Sequence, residues 1–302
     1  MKKNKLNGYK LNASIHTFAV KSEGAPTLPL VYDLESIRSV KFASKDSWIT
    51  RINLNKLNGD IFAYSEFQAH AAELFNHMQI PNCTYWRTDI RLDSHEDNFK
   101  DYYKLNALLI SLFSVMFNDT NGQAISHMLT QTKEFSDISA KNQYWEVKYY
   151  NKKFQTNDTD IAKARLEFRS LKSTNGAGHP PHEIKEMWFK KLDQLPILYE
   201  GLQRDCNRNL YSAYIDYCNY NSKSYQKRDL ITSFFTDYAH SMTVFTRRQL
   251  KDFLVMCGVK KECAEERARY ICDKTNIEFF SKTDLWTYIA KIKSAMNDFF
   301  EC

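Results

Sequence analysis

The chain has 302 residues, 43% hydrophobic and 26% charged, with a net charge of +6. It is long enough for one large or two modest domains with a real core, and no apolar run reaches the ~20 residues of a membrane-spanning helix. Its seven cysteines are odd in number and form no Cys-x-x-Cys pair, which argues against a disulfide or zinc framework and for reduced thiols.

The first part of the chain reads as strands. Ser14–Val20, Leu28–Tyr32 and Ile37–Phe42 are short β-type runs, broken by Gly24, Pro26 and Pro29. Trp48–Leu54 alternates, with Trp48, Thr50, Ile52 and Leu54 on one face. The spacing of Phe67, Ala71, Leu74, Phe75 and Met78 predicts a helix over Ser65–Met78, and Pro81 follows it. Thr84–Leu92 is the next strand. A long helix over Phe99–Phe117 ends at the turn-forming Asn118-Asp119-Thr120-Asn121-Gly122. A further segment spans Ala124–Thr130. The strands Tyr144–Lys152 and Ala162–Leu171 are joined by a polar turn, Asn157-Asp158-Thr159-Asp160. This order predicts an α+β domain with helices on one face of a largely antiparallel sheet.

The loop from Ser173 to His182 breaks that pattern, and almost everything after it reads helical. Helices are expected near Leu198–Tyr217, Lys227–His240, Thr246–Met256, Glu262–Asp273 and Lys282–Phe300. A boundary within about residues 173–195 divides the chain into an α+β domain, 1–180, and a helical domain, 181–302. Gly258 is a helix stop. The helix–Gly–helix spacing around it allows a helix-turn-helix, although any compact helical bundle shows the same spacing. The basic Met1-Lys2-Lys3-Asn4-Lys5 is followed by no hydrophobic core, so no signal peptide and a cytoplasmic location are expected. The sequence pI near 8.8 favours anionic partners, nucleic acid first. The 18 tyrosines and 20 phenylalanines can stack on bases, but an AT-rich gene enriches the same residues.

Three stretches carry charge on alternate residues: Arg87-Thr-Asp89-Ile-Arg91-Leu-Asp93, Glu146-Val-Lys148-Tyr-Tyr150-Asn-Lys152 and Arg165-Leu-Glu167-Phe-Arg169. In a strand each would show acid and base on one face. Thr88, Ile90, Leu92, Val147, Tyr149, Leu166 and Phe168 would face the core. If the strands share a sheet, one face gathers carboxylates and cations, a surface suited to a divalent metal and a phosphate together.

Arg87-x-Asp89-x-x-x-Asp93, then Tyr150-Asn151-Lys152, then Ala164-Arg-Leu-Glu167-Phe-Arg169 resemble, in order and spacing, the rolling-circle replication initiators of plasmids and filamentous phages. In that family the stretches read roughly Arg-hydrophobic-Asp-x-x-x-Asp, Tyr-Asp-Lys and Arg-hydrophobic-Glu-x-x-Arg or Glu-x-Arg. Ile52-Asn-Leu-Asn-Lys56 is also similar, so the resemblance runs from about Trp48 to Leu171. Asn151 departs from it, standing where an Asp is usual. The resemblance implies the palm of the histidine–hydrophobic–histidine endonucleases. It implies a nicking and joining enzyme whose tyrosine attacks a phosphodiester of origin DNA and becomes linked to the 5′ phosphate. Single-stranded and duplex DNA, and host helicase and replication proteins, are the implied partners.

That chemistry needs Mg²⁺ or Mn²⁺ on oxygen or imidazole ligands, and a nucleophile. Asp89 and Glu167 are the first metal-ligand candidates, with Asp93 and Glu146 behind them. Salt bridges on a solvated sheet face are the plainer reading of the same residues. Arg87, Lys148, Lys152 and Arg169 are candidates for DNA phosphates, or else they neutralise the neighbouring acids. Arg247 and Arg248, with Lys251, Lys260 and Lys261, form a second basic group suited to duplex DNA. His179 and His182 flank two prolines, which a sheet interior disfavours, so a loop is expected, from which His179 could supply one ligand. For the nucleophile, Tyr211 and Tyr214 are the candidates. They open a series, Tyr211, Tyr214, Tyr217 and Tyr220, spaced by three in a helix near Arg204, Arg208 and Lys223. Such tyrosines also pack an amphipathic helix against its neighbours, and Tyr199 and Tyr225 stay open.

No P-loop, Gly-x-Gly-x-x-Gly or Gly-x-Ser-x-Gly pattern occurs, which argues against an ATPase, a dinucleotide enzyme or an α/β hydrolase. Two other functions fit the same sequence. One is an origin-binding initiator that does not cut. The other is a structural or adaptor protein whose charged sheet is merely solvated.

Overall fold

A computed structural model describes residues 10–27, 36–41, 47–58, 61–80, 82–95, 98–117, 138–151, 163–171, 178–221, 229–238, 247–275 and 282–302. The predicted strand Leu28–Tyr32, the segment Ala124–Thr130 and the turn Asn157–Asp160 lie outside these residues.

The fold is α+β. Seven strands form one sheet: β1 (Asn12–Ser22), β2 (Ile37–Lys41), β3 (Trp48–Ile52), β4 (Thr84–His95), β5 (Ile138–Lys141), β6 (Trp145–Asn151) and β7 (Lys163–Ser170). Their order is β2-β3-β1-β4-β7-β6-β5, and every neighbouring pair is antiparallel. The three charge-alternating stretches are therefore adjacent strands, β4, β7 and β6. The short edge strand β5 has no counterpart in the sequence reading. Four residues are too few to show a period, and its pairing with β6 fixes it.

One face of the sheet is apolar and fully buried. Thr88, Ile90 and Leu92 of β4, Val147 and Tyr149 of β6, and Leu166 and Phe168 of β7 lie on it, as alternation requires. α2 (Tyr64–His77), α3 (Asn98–Met116), the first half of α4 (Pro181–Asn221) and α8 (Lys282–Phe300) pack onto it; a short α1 (Leu54–Asn58) precedes them. Trp188 of α4 sits in the middle. Its ring meets Trp145, Phe168 and Phe113 edge-on at 5.0, 5.0 and 5.8 Å.

α4 starts at Pro181, well before the expected start near Leu198. Pro180 and Pro181 stand where a helix leaves N–H groups unpaired, so they begin the helix and do not break it. Ile184, Trp188, Leu192, Leu195 and Tyr199 then bury one stripe against the sheet core.

A second cluster gathers Leu210 and Tyr217 from the far half of α4, with residues of α5 (Leu230–Tyr238), α6 (Arg247–Met256) and α7 (Ala264–Thr275). α6 stops at Gly258, whose φ of +87° suits the left-handed cap. Val259 N donates to Leu254 O at 2.9 Å and closes it.

The last helix returns to the first core. Leu285, Tyr288, Ile289, Ile292, Ala295, Met296 and Phe299 of α8 are buried there, and Tyr288 Oη donates to Asn106 Oδ1 of α3 at 2.7 Å. Each large apolar side chain buried there is worth about 1.5–3 kcal/mol. Their sum rivals the about 5–15 kcal/mol of a whole domain. A chain ending before α8 is therefore expected to lose its cooperative melting transition by circular dichroism. A truncated chain that melts as sharply as the full one would contradict this packing.

Candidate active site

The other face of β4, β7 and β6 is charged, and the antiparallel register arranges it as a chequerboard. One row reads Thr17, Asp89, Arg169, Glu146; the next Ser14, Arg91, Glu167, Lys148; the third Asn12, Asp93, Arg165, Tyr150. Acid and base alternate both along the strands and across them.

The centre of this face is not solvated. Glu167 is 0% exposed, and Asp89 and Arg165 are 1% exposed. Desolvating so many charges is expensive unless each is paired, and the hydrogen bonds show that pairing. Arg87 Nε and Nη2 donate to Asp89 Oδ1 and Oδ2 at 2.7 and 2.6 Å. Arg165 Nε and Nη2 grip Asp93 in the same forked way at 2.5 and 2.8 Å. Arg169 binds Glu167 Oε2 through Nε at 2.8 Å and reaches Glu146 Oε2 through Nη1 at 3.1 Å. The same Nε lies 4.0 Å from Asp89 Oδ2, so one guanidinium bridges three carboxylates. Arg91 Nε donates to Ser14 Oγ and stands 3.5 Å from Asp93.

The other oxygen of Glu167 has a different partner. Tyr150 Oη donates to Oε1 at 2.7 Å, and His16 Nδ1 stands 3.7 Å from the same oxygen. His16 is placed there by a bulge in β1 between Ile15 and Thr17. Lys148 Nζ lies over the Tyr150 ring, 4.9 Å from its centre. Neither Tyr150 as a reacting group nor His16 was singled out by sequence. Tyr150 had a signal, since it shares strand parity with Glu146 and Lys148. A bulge leaves no such mark.

Burial and charge pull the acids in opposite directions. For Glu167, burial pushes the pKa up, but Arg169, His16, Tyr150 and Arg165 outweigh it and hold the pKa down at about 2, from 4.5. For Asp89, burial wins and raises the pKa against the hydrogen bonds and charge of Arg87. Tyr150 is raised well above an ordinary phenol, first by burial and then by the charge of Glu167. At neutral pH the pair is thus a phenol donating to a carboxylate. Neighbouring carboxylates with separated pKa values are a mark of acid–base sites.

The lowered Glu167 value sets an acid limb. A carboxylate whose pKa is lower in the folded chain contributes stability above its unfolded pKa, and loses it as pH falls through the folded one. The contribution of Glu167 is expected to fade between about pH 4.5 and 2. Urea melts of the parent and of Glu167→Gln should converge over that window. Parallel curves would contradict the ion pairing.

The remaining candidates are spread more widely. Asp93, Glu146, Arg87, Lys148 and Arg169 join the cluster as the alternation implies, while Lys152 lies outside the described residues. Asp89 and Glu167 offer hard oxygen donors, the right kind for Mg²⁺ or Mn²⁺. The cationic position between them is taken by Arg169, and among the described residues no group of three Asp, Glu, His or Cys side chains stands together as a metal cage. His179 Nδ1 pairs with Glu183 at 2.8 Å, and His182 Nδ1 lies 3.5 Å from Tyr64 Oη. Both histidines thus have local partners at the start of α4.

Tyr211 and Tyr214 belong to the second cluster, not to the charged face. The Tyr214 ring meets Phe234 at 5.3 Å and Phe253 at 5.5 Å. Its hydroxyl is raised by burial and by Cys218. Tyr199 is buried in the sheet core, and Tyr217 in the second cluster; Tyr225 and Lys223 lie outside the described residues. Arg247 and Lys251 both pair with Glu265, at 2.7 and 2.9 Å, on the surface of α6 and α7, and Arg248 is exposed beside them.

Compared with known proteins, the chain matches no family model, no curated protein and no solved structure.

Proposed function

We propose that the protein is a replication initiator of the rolling-circle kind, which nicks one strand of its origin and keeps the 5′ phosphate on a tyrosine. The sheet would then be the catalytic palm. The observation that carries this reading is the hydroxyl of Tyr150 on the buried carboxylate of Glu167, inside a face of paired arginines. A solvated adaptor surface has no reason to bury five charged groups in this way.

On this reading Tyr150 is the nucleophile, in preference to Tyr211 and Tyr214. Its oxygen, oriented by the hydrogen bond to Glu167 Oε1, attacks phosphorus while its proton is released to solvent. The P–O3′ bond breaks, and the 3′ oxygen leaves with the electron pair and takes a proton from solvent. A phosphotyrosyl ester remains, whose energy allows the reverse step to rejoin the strand. Arg169 and Arg87, the partly exposed arginines of the cluster, meet the phosphate oxygens. Mg²⁺ or Mn²⁺ would have to take the place of Arg169 between Asp89 and Glu167 Oε2, with Asp93 and Glu146 nearby, and would supply charge neutralisation on the phosphate. The exposed bases of α6, Arg247 and Arg248, would add duplex recognition in the cytoplasm. A host helicase would unwind, since the sequence has no P-loop of its own.

The arginine pairing of every site carboxylate favours one further reading, an initiator that binds origin phosphates without cutting. Incubation with a supercoiled plasmid carrying the cognate origin, with Mn²⁺ or with EDTA, separates the two. Metal-dependent conversion to open circles supports nicking, and binding with no conversion supports the binder.

A further inference from the structure

Three adjacent strands at one end of the sheet carry no acid at all. β1, β2 and β3 contain no Asp or Glu, yet on the face continuous with the charged cluster they present Lys21, Arg38 and Arg51. The register puts Arg38 opposite Arg51, Arg51 opposite Ala19, and Ala19 opposite Arg87. Three arginines thus form one row across four strands, and the small, buried Ala19 leaves a gap in the middle. Arg38 and Arg51 are exposed, and neither takes part in an ion pair among the described residues. Like charges directly opposite in a sheet repel. The pKa of Arg51 is lowered by burial first and then by Arg87 across Ala19 and by Arg169, against the opposing pull of Asp89 and Glu167. Beyond the row the face is floored by Ile49 and Val40, the latter 54% exposed.

We infer that Arg38 and Arg51, in line with Arg87, form a track for the phosphate backbone of a single nucleic-acid strand leading onto the charged cluster at its Arg87–Asp89 edge. Guanidinium forks match phosphate oxygens in pairs. Exposed forks without a hydrogen-bonded acid, ending at the Asp89-paired Arg87, put bound phosphates at the open edge and bring the strand onto the charged cluster. The identity of the ligand rests on the reading above, while the track itself is a binding claim.

The test is fluorescence anisotropy with a labelled single-stranded oligonucleotide and the full chain in EDTA, so that no cleavage enters. The double variant Arg38→Gln/Arg51→Gln is compared with the parent and with Lys190→Gln, an exposed charge on α4. The salt slope, log K against log [salt], is expected to shrink by about 1.4 in the double variant, at roughly 0.7 per lost phosphate contact. Lys190→Gln is expected to leave the slope unchanged. Both arginines are exposed, and an unchanged thermal melt confirms the fold. An unchanged slope in the double variant, or a parent that does not bind, overturns the track. Polyglutamate competing as well as an oligonucleotide of equal charge would overturn the assignment to nucleic acid. Loss of nicking in Tyr150→Phe with the salt slope intact keeps the two claims separate.

Discussion

Tyr150→Phe is expected to abolish nicking while leaving the fold standing. The substitution removes one oxygen. The ring stays in its place under Lys148, and Glu167 keeps Arg169, Arg165 and His16 around it. The lost hydrogen bond to a carboxylate is worth about 1.5–3 kcal/mol, a tolerable loss for a protein of ordinary stability. If Tyr150 is the proposed nucleophile, nothing replaces its oxygen, and nicked product should fall to background. Tyr211→Phe and Tyr214→Phe should nick normally and melt slightly lower, because those rings pack the second cluster. Normal nicking by Tyr150→Phe would remove Tyr150 from the chemistry.

The second large effect belongs to Glu167. Glu167→Gln keeps the shape but loses both the charged hydrogen-bond acceptor that orients the Tyr150 hydroxyl and the negative charge facing Arg169. Nicking should drop by ~10²-fold or more, the scale of removing one electrostatic contact to a transition state. Stability should drop too, by about 3–5 kcal/mol, because buried arginines lose their counter-charge. Rates are therefore compared at a temperature where a melt shows both proteins folded. Asp89→Asn tests the same idea from the other carboxylate. If both variants nick at the parent rate, the cluster only holds the sheet together.

Much of the sheet was legible. Alternation in Arg87–Asp93, Glu146–Tyr150 and Arg165–Arg169 assigned each residue to its face, because a strand has a fixed period of two. It could not tell that the charged face is buried. Burial depends on which arginine lies opposite which acid, and that register is a long-range property. The helical tyrosines carry two meanings at once, a nucleophile or a packed face. Tyr211 and Tyr214 at a spacing of three mark a helix face, and here that face packs on Phe234 and Phe253. Tyr150 was visible as a member of the charged strand, but nothing local shows that its hydroxyl meets a carboxylate from a strand 17 residues away. The return of α8 to the sheet was equally hidden, since its amphipathic pattern names a buried stripe and not the surface that buries it.

The central claim is that the Tyr150–Glu167 pair performs the cut. The most direct measurement traps the parent protein on labelled single-stranded origin DNA with Mn²⁺, digests the complex and locates the nucleotide adduct by mass spectrometry. The expected result is a 5′-phosphate ester on the peptide containing Tyr150. An adduct on Tyr211 or Tyr214 would move the chemistry to the helical cluster, and metal-dependent cleavage with no protein–DNA adduct would contradict the tyrosine mechanism itself.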